Sequence, residues 1–75
     1  MITEQEIIEI VSEAIGVKKE DLSMESSMSD FAEWDSLGHL TILSSLDEKL
    51  GDKYQESEEL SSANTVREIY DAINK

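Results

Sequence analysis

Cysteine and proline are both absent from this chain of 75 residues. Without cysteine there is no disulfide framework, no thiolate metal ligand and no sulfur nucleophile, so any thiol chemistry has to be supplied by a cofactor. Lacking proline, and with only three glycines, the chain does not have the composition of a proline-rich ligand or a flexible linker. Aromatic residues make up 5% (one Trp, two Tyr, one Phe), so the core must rest on aliphatic side chains. Positive charge is scarce too: six Lys and Arg stand against eighteen Asp and Glu, a formal net charge of −12. That balance argues against nucleic acid and anionic membrane surfaces as partners and favours basic docking patches on other proteins. No apolar run reaches membrane-spanning length, so no stable membrane insertion is expected. Met1-Ile2-Thr3-Glu4-Gln5-Glu6 lacks the basic and apolar regions of a signal peptide, and cytoplasmic residence is the expectation. The length allows a single domain, 1–75, expected to be a monomer and too small for a deep enzyme pocket.

What is present is helical patterning. Thr3 and Glu6 fit a capping box, followed by an apolar face of Ile7, Ile10, Val11, Ala14 and Ile15 and by Gly16 as a left-handed stop. A long segment follows up to Asp35, with Val17, Leu22, Met28, Phe31 and Trp34 as anchors, too apolar to be a free linker. A second helix is predicted from Ser36 to Leu50, closed by Gly51, with apolar residues spread over so wide an arc that it must face two neighbours, or a neighbour and a partner. From Asp52 to Asn64 the chain is polar, with at most a short helical turn around Ser57 to Ser61. Thr65 and Glu68 form another capping box, opening a last helix with Val66, Ile69, Tyr70 and Ile73 inward. The expected fold is all-α: a small antiparallel bundle of three main helices plus one short helix, with a long loop between the first and second.

The most informative motif is Asp35-Ser36-Leu37 at the start of that second helix. Asp35 is a favoured N-cap, which puts Ser36 on the first turn, where free N–H groups and the positive end of the helix dipole favour a negatively charged adduct such as a phosphodiester. With its flanks, Trp34-Asp35-Ser36-Leu37-Gly38-His39-Leu40 resembles the prosthetic-group attachment site of acyl carrier proteins. Ile15-Gly16-Val17-Lys18-Lys19-Glu20-Asp21-Leu22 is similar to that family's first-helix end and loop start, and Thr65-Val66-Arg67-Glu68-Ile69 to its last helix. The resemblance implies a covalent 4′-phosphopantetheine on Ser36, attached by a phosphopantetheinyl transferase and carrying acyl or aminoacyl groups as thioesters. It also implies as partners a loading ligase or transferase and downstream biosynthetic enzymes with basic docking patches. Asp35, Leu37, Leu40, Thr41, Asp47 and Glu48 are the expected partner-binding residues, and Leu40, Leu43, Leu46, Leu60 and Ile69 the lining of an acyl cleft. Where many members that serve fatty acid synthesis have a glycine before the motif and an acidic residue on the second helix, this chain has Glu33 and Thr41. That form points to a stand-alone carrier of a specialised or aminoacyl pathway.

Rival readings are weaker. A hydrolytic serine needs a base and an oxyanion hole, and the only histidine, His39, is expected to be a solvated helix residue or part of a partner contact, leaving no catalytic residue and no enzyme. No segment has the EF-hand pattern, and no metal ligands are expected beyond loose divalent binding near Asp30, Glu33 and Asp35 or near Asp47 and Asp52. Trp34 staples the loop or offers a flat contact to the modifying enzyme, and Gly38 leaves room beside Ser36. An acidic helical interaction module or inhibitor, docking on a basic protein without a cofactor, explains the charge and size equally well but not the placement of Ser36.

Overall fold

The computed structural model describes residues 2–51 and 53–74. Four helices follow one another: α1 (Glu4–Ile15), α2 (Ser36–Leu50), the single-turn α3 (Glu58–Ser61) and α4 (Val66–Ile73). Three 3₁₀ turns, at Lys19–Asp21, Met28–Asp30 and Tyr54–Glu56, break up the connections. The chain is thus all-α, with three main helices, one short helix and a long segment of 3₁₀ turns between α1 and α2.

Local chemistry sets the helix ends. Thr3 Oγ1 accepts from the Glu6 N–H at 3.2 Å while Glu6 Oε1 accepts from the Thr3 N–H at 3.2 Å, the reciprocal box that opens α1. Thr65 and Glu68 repeat it for α4, and Ser57 Oγ accepts from the Leu60 N–H to start α3. Gly16 and Gly51 end α1 and α2 at φ 75° and 71°, a region that costs side-chain-bearing residues roughly 1–2 kcal/mol.

α1 packs on α2 and α4, and α3 on α4. Ile7, Ile10, Val11 and Ile15 of α1 meet Ile42, Leu43 and Leu46 of α2 and Leu60, Val66 and Ile69 from the C-terminal third in one buried cluster. Each such side chain contributes about 1.5–3 kcal/mol on burial, before conformational entropy is counted. Of the expected inward residues of α4, Val66 and Ile69 are buried, while Tyr70 and Ile73 are partly so. Ile2, which the sequence pattern did not mark, is 2% exposed, and Asn74 receives its N–H and donates to its carbonyl at 2.9 and 3.0 Å.

The segment between α1 and α2 is docked more firmly than its apolar spacing implied. Met24, absent from the expected anchors, is buried alongside Leu22 and Trp34. The reason is a backbone match: Met24 and Ser26 carbonyls accept from the Arg67 and Val66 N–H groups, and the Asn64 carbonyl accepts from Met28 N–H. Loop carbonyls thereby satisfy first-turn N–H groups of α4 that no intrahelical acceptor can reach. The loop is held to α4 at one end and delivers Trp34 to α2 at the other.

Candidate functional site

The start of α2 is assembled from residues within a few positions of each other. Asp35, extended at φ −98° and ψ −166°, accepts the Gly38 N–H on Oδ1 at 2.8 Å, and its carbonyl takes the His39 N–H at 2.8 Å. Ser36 is the first helical residue and is exposed. The N–H groups of Ser36 and Leu37 have no intrahelical acceptor at that position, so the turn presents donors and the positive end of a 15-residue helix around the hydroxyl.

Two large apolar side chains stand in solvent beside it, Leu37 at 74% and Leu40 at 53% exposure. Helical spacing puts Leu37, Leu40, Thr41, Ser44 and Glu48 on one open face, with Glu48 about 18 Å along the axis from Ser36. Thr41 is exposed and donates its hydroxyl back to the Leu37 carbonyl at 3.0 Å. Asp47, on the edge of this face, is half-buried: one oxygen accepts the Tyr54 N–H and the other accepts from Gln55 Nε2 at 3.0 Å. Its carboxylate serves as the cap of the Tyr54–Glu56 turn, which separates it from freely exposed Glu48.

An open depression of about 210 Å³ adjoins Ser36, lined by Met28, His39, Leu40, Leu43 and Ser61 as well. Of the five residues expected to line an acyl cleft, Leu40 and Leu43 reach it. Leu46, Leu60 and Ile69 are at most 1% exposed and belong to the packed core.

Two sequence expectations, for His39 and Gly38, are corrected by the structure, and of the two readings of Trp34 it bears out the staple. His39 is not solvated; it is 6% exposed and lies between two partners. Trp34 Nε1–H donates to its Nδ1 at 3.0 Å, which leaves Nε2 to carry the proton and donate to the Leu60 carbonyl at 2.7 Å. The imidazole is therefore the neutral Nε2–H tautomer with both nitrogens committed, and the indole lies beside it nearly parallel, with planes 13° and centroids 6.2 Å apart. Trp34 itself is 1% exposed, so it staples the loop to α2 and offers no flat surface to another protein. Gly38, finally, is not there to leave room for a partner. A Cβ at that position would stand 2.3 Å from the Glu33 carbonyl oxygen and 3.3 Å from Ile15 Cγ2, so the bare backbone is what lets the loop and α1 close on the start of α2.

Asp30, one of the carboxylates considered for divalent ions, instead accepts the Ser27 N–H at 2.9 Å. Asp52 lies outside the described residues. Among the described residues no helix is long and apolar enough to cross a membrane. Comparison with family models, with curated proteins and with solved structures yields no match.

Proposed function

We propose that this chain is a carrier protein, modified on Ser36 with 4′-phosphopantetheine and passing acyl or aminoacyl groups between enzymes. The observation that carries the reading is an exposed serine on the first turn of a long capped helix, flanked by Leu37 and Leu40, the exposed large apolar side chains among the described residues. When bound, the arm supplies a terminal thiol on which cargo rides as a thioester. Ser36 Oγ bonds to the pantetheine-side phosphorus of coenzyme A as the pyrophosphate bridge breaks, the nucleotide half departing and the proton passing to the transferase. First-turn N–H groups and the helix dipole favour the resulting anionic diester. Asp35 holds those groups in place through its cap on Gly38.

The chain itself performs no bond-breaking chemistry in this account. His39, the only imidazole, has both ring nitrogens occupied and is not available as a base for Ser36. Leu37, Leu40, Thr41 and Glu48, with Asp35 beside the serine, form the face offered to transferase, loading enzyme and downstream enzymes. Leu40 and Leu43 bound the depression into which the first atoms of a cargo can settle.

Incubation with coenzyme A and a promiscuous transferase tests this. The expected outcome is stoichiometric conversion to one heavier species, lost in Ser36→Ala while the helical circular dichroism and Tm stay unchanged. Modification of Ser23, Ser27, Ser44 or Ser45 instead would refute the site. No conversion at all is what the rival reading, an acidic module docking on a basic protein without a cofactor, predicts.

A further inference from the structure

We infer that Trp34 and His39 form a latch beneath Ser36 that keeps cargo on the surface, so that this carrier takes short or polar acyl groups and does not draw a long apolar chain into its interior. The inference rests on the reading of Ser36 as the attachment point.

The route inward from Ser36 passes the depression floor, where His39 and Leu43 lie. His39 Nε2–H is bonded across to the Leu60 carbonyl of α3, and Nδ1 is held by the Trp34 indole from the loop. One side chain thus ties three segments, α2, α3 and the loop, at the place where an entering chain has to part them. Parting α2 from α3 separates the imidazole from Leu60: the carbonyl keeps the Ala63 N–H, but the buried His39 Nε2–H loses its acceptor, which methylene groups cannot replace. Behind the latch, Leu46, Leu60 and Ile69 are at most 1% exposed and already packed together. The rim is mixed: Ser36, His39 and Ser61 are polar, while Met28, Leu40 and Leu43 supply a small apolar contact. Such a surface suits a compact acyl or aminoacyl group whose polar atoms remain in water.

The test loads Ser36 from acetyl- and from octanoyl-coenzyme A with a transferase and compares the two products. In wild-type protein the two forms are expected to melt within about 1 °C of each other, where burial of the octanoyl chain would raise Tm by roughly 5 °C or more. The imidazole ¹⁵N shifts of His39, which report the Nε2–H tautomer, are expected to be the same in both forms, and the thioesters to hydrolyse at equal rates. In His39→Ala the latch is open, and octanoylation is expected to raise Tm and slow thioester hydrolysis relative to acetylation. His39→Gln, with one amide donor and one acceptor, is expected to restore wild-type behaviour. A higher Tm for octanoylated wild-type protein, with perturbed His39 shifts, overturns the latch even if His39→Ala does not fold. An octanoyl chain that remains unprotected in folded His39→Ala overturns it as well. Failure of either coenzyme A derivative to add mass at Ser36 refutes instead the carrier reading on which the latch depends.

Discussion

Removing the imidazole of His39 would strand the buried Trp34 indole N–H and leave a cavity, while the Leu60 carbonyl would keep the Ala63 N–H at 3.2 Å. The unsatisfied indole N–H costs about 1–3 kcal/mol and the lost ring adds a cavity, so His39→Ala is expected to lose roughly 2–5 kcal/mol in urea unfolding, a large part of the stability of so small a domain. His39→Gln should recover much of that loss, because its amide offers a donor and an acceptor in one plane. A loss below about 0.5 kcal/mol for His39→Ala would mean that water replaces the ring without penalty. This role was not legible in the chain. The indole five residues upstream gives no hint that it points at the ring, and the other partner is a main-chain carbonyl 21 residues downstream, which leaves no mark in any side chain. Ser36 was legible because its environment is local: an aspartate before it and an apolar helix after it define an N-terminus without reference to the rest of the fold.

At the scale of the element, α2 joins two opposed demands. Its inner side buries His39, Ile42, Leu43 and Leu46, while Leu37, Leu40, Thr41 and Glu48 stay open. The wide apolar arc foreshadowed this division, and the capping boxes of α1 and α4 and the left-handed glycines were readable from short-range chemistry alone. Gly38 shows where local reading fails. Helix propensity predicts that Gly38→Ala stabilises α2 by about 1 kcal/mol. The added Cβ meets a backbone oxygen at 2.3 Å, which cannot move without displacing the Glu33 to Asp35 entry. Overpacking of this kind costs about 1–3 kcal/mol, so the variant is expected to melt lower than wild type and to be modified more slowly. A higher Tm would show that the loop yields. The docking of Met24 and Ser26 on α4 escaped sequence reading for the same reason as His39: it is made by main-chain groups, and their register is set only when both segments are in place.

For the molecule as a whole, the excess of acidic residues shapes encounters more than the fold. The ion pairs Lys19–Glu9, Lys49–Glu13 and Arg67–Glu25 span 3.5–3.7 Å between exposed groups. Such pairs contribute little to stability, and the field of the remaining carboxylates reaches about 10 Å at 0.1 M salt. Modification by a basic transferase is therefore expected to slow as salt rises, chiefly through the association rate. Charge reversal should locate the docking face: Glu48→Lys, exposed on the open side of α2, is expected to slow association more than Glu4→Lys at the start of α1. Asp47→Lys is a poor probe, since it also removes the cap of the Tyr54–Glu56 turn. Equal effects of Glu48→Lys and Glu4→Lys would show that net charge alone matters and that α2 presents no specific face.

The carrier reading depends on what Ser36 holds in the cell. The most direct measurement is the mass of the peptide spanning Trp34 to Leu40, recovered from protein isolated from its own cells, before and after cleavage of thioesters. The expected result is a peptide heavier by one phosphopantetheine, with a further mass that thioester cleavage removes and that corresponds to a short or polar acyl group. An unmodified Ser36 throughout the population, or the arm on another serine, would contradict it.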